Sequence, residues 1–91
     1  MKVRIPTHPG EILKEELEAR GLSMNQFAKE LHVPTGRISQ IVTGKRSVTP
    51  DTAIRFSQYF GTSAEVWMNL QTKYDLAIAR QKHQQELKVA S

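Results

Sequence analysis

The 91-residue sequence has no cysteine. That absence excludes disulfide frameworks, iron–sulfur clusters, cysteine-ligated zinc and thiol nucleophiles, and it fits a reducing compartment. No stretch approaches the roughly 18 consecutive apolar residues of a membrane-spanning helix. The N-terminal MKVRIPTHPG carries two early cations without the apolar run of an export signal. A cytoplasmic protein with no membrane contact is predicted. There is no glycine-rich phosphate loop and no nucleophile elbow, and His8, His32 and His83 stand far apart without carboxylates at ligand spacing. A surface or capping role suits these histidines. No catalytic residue, metal site or cofactor is expected, and the chain reads as a binding protein, not an enzyme.

Apolar residues make up 38% and charged residues 24%, near globular averages. A chain of this length hides about two-thirds of its surface on folding, so a single domain over residues 1–91 is expected. Thirteen Lys and Arg oppose nine Asp and Glu, a net of +4. Residues 1–20 balance four cations against four anions, whereas residues 21–50 hold Lys29, Arg37, Lys45 and Arg46 against Glu30 alone. Three of the four surplus charges therefore fall in the middle third. Such a field attracts phosphate backbones, although a solvated surface of mixed charge can carry the same numbers.

Five helical stretches lie between turn signals, with no alternating strand pattern to compete, so the fold class is all-α. Ile12, Leu13 and Leu17 share one face of the first, which Gly21 suits as a left-handed cap. Ser23 and Gln26 form a Ser-x-x-Gln capping box ahead of Met24, Phe27, Ala28 and Leu31 at helical spacing. Pro34 suits the first position of a third helix, whose buried stripe is Ile38, Ile41 and Val42 and whose stop is Gly44. Thr49-Pro50-Asp51 opens a fourth, with Ala53, Ile54 and Phe60 inside. Thr62 or Ser63 caps the last, about residues 63–80, where Val66, Trp67, Leu70, Tyr74, Ala77 and Ile78 line one face. The apolar face ends after Arg80, so residues 81–91 read as a fraying helical end or a disordered tail.

The second and third helices, joined by a short turn over residues 23–43, have the proportions of a helix-turn-helix. The outward face of the third offers Thr35, Gly36, Arg37, Ser39 and Gln40, polar and nearly free of acid. Such a helix fits a major groove, where Gln suits adenine, Arg suits guanine and the threonine methyl touches thymine. Asn25, Gln26, Thr43, Lys45 and Arg46 flank it as candidate phosphate contacts. A helical adaptor that binds only protein is the alternative, since any surface helix has a polar outside.

The segments HPGEILKEEL and GLSMNQFAKELHVPTGRISQIVTGKRSVTPDTAIRFSQYFGTSAEVWMNLQTKYDL resemble the HigA-type antitoxins of bacterial toxin–antitoxin modules, within the phage-lambda-repressor-like (Xre) class. The likeness covers His8 to Leu76. Its most specific pieces are His8-Pro9-Gly10-Glu11, Ile38-Ser39-Gln40-Ile41 with Gly44-Lys45-Arg46, and Trp67-Met68-Asn69-Leu70-Gln71. The resemblance implies a five-helix DNA-binding domain and a homodimer on a palindromic double-stranded DNA operator of its own promoter. It also implies a RelE-like, HigB-type ribonuclease toxin as partner. It places base reading on Thr35, Gly36, Arg37, Ser39 and Gln40, and phosphate contact on Ser23, Asn25, Gln26, Thr43, Lys45 and Arg46. Gly36 has no side chain to read with, so specificity leans on Thr35, Arg37 and Gln40 or on DNA shape.

The apolar stripe of the last helix is longer than one small core needs, which suggests a two-fold contact through Trp67, Leu70, Tyr74, Ala77 and Ile78, centred on Tyr74 to Ile78. A dimer would set two reading helices about 34 Å apart, one turn of duplex. Glu11, Glu15 and Glu18 recur at helical spacing on the first helix and offer carboxylates to a basic toxin. A stand-alone repressor without a toxin partner keeps the same DNA chemistry.

Overall fold

The computed structural model describes residues 7–90, with side chains for residues 7–86. Lys2 and Arg4, counted in the charge, and Ser91, at the end of the expected tail, lie outside the described residues. Five helices follow one another: α1 (Pro9–Ala19), α2 (Met24–Leu31), α3 (Thr35–Val42), α4 (Pro50–Phe60) and α5 (Ala64–Ala90). Among the described residues there is no strand, and no helix is long and apolar enough to cross a membrane.

Local chemistry accounts for most of the boundaries. The Nδ1 atom of His8 accepts the Gly10 N–H at 2.9 Å, which caps α1, and Pro9 follows in the first turn. At the other end Leu22 N–H donates to Leu17 O and Gly21 N–H to Glu18 O, with Gly21 at φ 62°. This Schellman pairing closes the helix where the glycine suggested. Ser23 Oγ accepts the Gln26 N–H at 3.1 Å. The reciprocal half of the expected capping box is replaced, because the Gln26 amide turns instead to Glu30 at 3.5 Å. Pro34 is the N-cap of α3, one place earlier than the first helical position expected, and no side chain caps that helix. Both candidates at the start of α5 have work: Ser63 Oγ accepts the Val66 N–H, and Thr62 Oγ1 accepts from the Trp67 indole at 3.2 Å.

The core joins Leu13 and Leu17 of α1, Phe27, Ala28 and Leu31 of α2, Ile38 and Ile41 of α3, Val48, Ala53 and Phe56, and Trp67 of α5. Phe27, Phe56, Tyr59, Phe60 and Trp67 form a continuous aromatic cluster, with neighbouring centroids 5.0 to 6.4 Å apart. Three positions expected inside are exposed: Met24, Ile54 and Val66. On α4 the buried stripe is Thr52, Ala53 and Phe56, which turns Ile54 outward by about 100° per residue. Met24 sits a turn ahead of the core-facing Phe27 and Ala28, and Val66 precedes the buried Trp67 by one step around α5. Gly10 lies against α3 so closely that a Cβ there would stand 1.8 Å from Ile41 O. Glycine is required for that approach, which sets the tilt of α3 on α1.

The stretch from residue 81, expected to fray or be disordered, is helical through Ala90. Gln81, Lys82, Gln84, Gln85 and Glu86 are good helix formers and extend α5 by propensity, without a buried face. At 1.5 Å per residue α5 is about 40 Å long, most of the molecule's 51 Å length.

Candidate nucleic-acid interface

The turn between α2 and α3 is tight because His32 adopts φ 57°, ψ 43°, in the left-handed region. Its N–H donates to Lys29 O while Val33 N–H donates to Ala28 O. A Schellman closure is thus made without glycine, at a backbone cost of about 1 kcal/mol. From α4, Arg55 Nη1 donates to Leu31 O at 2.8 Å and Nε to Asp51 at 3.0 Å. Arg55 thereby satisfies a carbonyl that the end of α2 leaves open. No local pattern pointed to this residue, since its partner is 24 positions away.

With Ile38 and Ile41 fully buried, the opposite side of α3 is set outward. Thr35, Gly36 and Gln40 are exposed, and Arg37 and Ser39 are half-buried beside them. An added Cβ on Gly36 meets nothing within 4 Å, so its role is not internal packing. No Asp or Glu occurs between residues 31 and 50. Ser23, Asn25 and Gln26 lie exposed at the start of α2, and Thr43, Lys45 and Arg46 lie exposed just past α3.

Besides Ser23 and Gln26, which are hydrogen-bonded along α2, three of these side chains are already engaged: Gln40, Thr43 and Arg46. Arg46 Nε donates to Gln40 Oε1 at 2.8 Å, joining a residue expected to read a base to one expected to hold a phosphate. Thr43 Oγ1 donates back to Ser39 O at 2.9 Å, which leaves its lone pairs outward. The backbone N–H groups of Lys45 and Arg46 both donate to Gln40 O, at 2.8 and 3.1 Å, so the connection leaves α3 in one defined direction.

The remaining expected site residues distribute differently. Trp67 and Ala77 are buried within the chain's own fold, Trp67 edge-on to Phe56 at 5.0 Å. Expected at a two-fold contact, both are buried in the chain's own interior, Trp67 because it completes the aromatic cluster. Leu70 and Tyr74 are half-buried, and Ile78 is exposed together with Leu76, which the helical stripe had not included. Tyr74 meets the His8 ring edge-on at 4.8 Å. Burial lowers the His8 imidazole below its ordinary pKa, partly offset by the Asp75 and Glu11 carboxylates. Tyr59 is raised, chiefly because its hydroxyl donates to the Glu30 carboxylate. Glu11, Glu15 and Glu18 are all exposed along α1. Glu11 shares a cleft with His8, Thr43, Gly44 and Tyr74, which brings one expected toxin contact beside an expected phosphate contact. His83 is exposed, 3.9 Å from Glu86, and no group of three potential metal ligands occurs among the described residues.

A family profile described as Helix-turn-helix matches residues 13–67. Virulence-associated protein I of Dichelobacter nodosus is 53% identical over 78 residues, 85% of this chain and 72% of that protein. The structure of an addiction module antidote protein of the HigA family from Coxiella burnetii superposes with a TM-score of 0.86 at 45% identity, covering 97% of both chains. The Pseudomonas aeruginosa antitoxin HigA, solved with the higBA promoter, superposes at 0.85 with 41% identity, covering 90% of each chain. The outward third helix, the inward Ile38 and Ile41, and these likenesses over nearly the full length agree: the chain belongs to the HigA-type antitoxin family of helix-turn-helix proteins.

Proposed function

We propose that the protein is a cytoplasmic antitoxin that binds a near-palindromic double-stranded DNA operator as a homodimer, represses its own operon and neutralises a RelE-like, HigB-type ribonuclease toxin. The observation that carries the DNA reading is the face of α3. Ile38 and Ile41 are sealed inward while Thr35, Gly36, Arg37, Ser39 and Gln40 line the outer side in a segment without acid. An α-helix fits a major groove, and its base readers sit near its N-terminal end. Arg37 reads guanine, Thr35 packs its methyl on thymine, Gln40 meets a base edge, and Ser39 supports them. Gly36 lets the helix approach closely. Ser23, Asn25, Gln26, Thr43, Lys45 and Arg46 hold phosphates on either side and set the register.

Two copies meet through the part of the α5 stripe that the chain's own core leaves open, Leu70, Tyr74 and Ile78. Trp67 and Ala77 support that surface from beneath. The exposed carboxylates Glu11, Glu15 and Glu18 on α1 face the basic toxin. The promoter complex of the Pseudomonas aeruginosa relative supports the DNA partner.

The test is footprinting of the purified chain on the DNA upstream of its own reading frame, with the product of the adjacent frame added or withheld. A protected near-palindrome whose occupancy falls steeply with salt is the expected result. Binding to a protein partner with no salt-dependent protection of any upstream sequence would replace this reading with that of a protein adaptor.

A further inference from the structure

The roles above leave one buried polar side chain on α5 without a function. Gln71 is 3% exposed. Its Oε1 accepts the Val48 backbone N–H at 2.8 Å, 23 residues away in sequence, and its Nε2 donates to Asp75 Oδ1 at 2.9 Å. Val48 is 2% exposed, so its amide has no water to turn to, and Gln71 supplies the acceptor. Three and two residues before Val48 come Lys45 and Arg46, whose own N–H groups are held by Gln40 O. The connection between α3 and α4 is therefore pinned at its start by α3 and at its end by α5. Asp75 decides which way the amide points, because an ionised carboxylate only accepts. It draws the NH2 group to itself and leaves the carbonyl oxygen facing Val48.

We propose that Gln71, oriented by Asp75, is a positioning residue for DNA binding: it holds the α3–α4 connection in the shape that sets Lys45 and Arg46 against phosphates. The inference rests on the reading of those two cations as phosphate contacts. It couples α5, the helix assigned to dimer formation, to the backbone that grips DNA.

The test is fluorescence anisotropy of the full chain on operator and random-sequence duplexes across a salt series, with circular dichroism to confirm folding. Gln71→Met fills much the same space, but its thioether is only a weak hydrogen-bond acceptor. It should weaken binding to both duplexes about tenfold and make the salt slope shallower by about one. Lys45→Ala is measured alone and in combination. Because Gln71 acts through the loop that carries Lys45, the double variant should lose less than the product of the single losses. Asp75 is exposed and provides a pair of variants that spares the core. Asp75→Ala should lower affinity, and Asp75→Asn, which keeps an oxygen for Gln71 Nε2, should restore it.

Multiplicative losses with an unchanged slope would make Gln71 a residue of stability alone and overturn the proposal. If Gln71→Met does not fold, the Asp75 pair decides, and wild-type affinity for Asp75→Ala overturns it. A Lys45→Ala variant with unaltered affinity and slope would remove the phosphate reading itself, and this inference with it. Lys45→Ala weakening DNA while Gln71→Met and Asp75→Ala do not would remove this inference only.

Discussion

Replacing Arg46 with alanine separates two effects that the structure ties together. In the free protein Arg46 Nε donates to Gln40 Oε1 at 2.8 Å. Arg46 takes one of the two lone pairs of that oxygen and ties the amide to one orientation, so Gln40 offers the groove chiefly the donors of its Nε2, whereas the two-point contact to adenine needs a donor and an acceptor side by side. The geometry therefore matches Gln40 to an acceptor edge, such as guanine O6 and N7 or thymine O4. Arg46→Ala removes one phosphate neutralisation, which changes the salt slope by about 0.9. The variant's deficit on any duplex should thus narrow by about 3.5-fold between 50 and 200 mM salt. The substitution also frees Gln40 Oε1 to complete an adenine pair. Preference at one base pair per half-site should then move toward adenine by about 1 to 3 kcal/mol, roughly 5- to 150-fold. Competition anisotropy with duplexes varied one base pair at a time, at both salt concentrations, reads the two effects independently. A deficit that is equal at both salts, with no changed preference at any base pair, would refute the reasoning.

Gly10→Ala should destabilise, although alanine ordinarily improves a helix, because its Cβ would stand 1.8 Å from Ile41 O. A cost of about 3 kcal/mol lowers Tm by about 12 to 24 °C in a chain this size. Gly36→Ala, with open space around it, should be neutral or gain up to about 1 kcal/mol. Thermal denaturation of the pair checks both. For His8, burial favours the neutral imidazole, and Nδ1 must be unprotonated to accept the Gly10 N–H. Its contribution is therefore complete above the unfolded pKa of about 6.5 and is lost as pH falls below it. His8→Asn keeps a capping acceptor that does not titrate, so urea denaturation between pH 7.5 and 5 should show a flatter dependence than wild type; identical slopes would exclude His8. Ile78→Glu, at a position 38% exposed, should change monomer stability by less than about 0.5 kcal/mol. It should shift sedimentation from dimer to monomer, and an undisturbed dimer would place the two-fold contact elsewhere.

The helices and their ends were legible because the interactions that make them span only a few residues. Ser23, Thr49 and Ser63 accept first-turn N–H groups three positions ahead. Gly21, Gly44 and Gly61 take positive φ where the apolar patterns stop. The outward face of α3 followed from the same periodicity, since burying Ile38 and Ile41 leaves little choice for Thr35, Gly36 and Gln40. His32 was the exception among local features, because histidine in a left-handed turn carries no strong sequence signal.

What the sequence determined by itself is the order and type of the elements, together with the polar, acid-free surface that one of them must present. Tertiary structure alone decided which polar groups meet across elements. Arg55 reaches Leu31 and Gln71 reaches Val48 over 24 and 23 residues, and Trp67 turns inward because Phe56 and Phe60 surround it. Such contacts depend on how α4 and α5 cross the helix-turn-helix. That crossing depends on close packing in the aromatic cluster, as the tilt of α1 on α3 depends on Gly10, a three-dimensional fit that no local periodicity encodes.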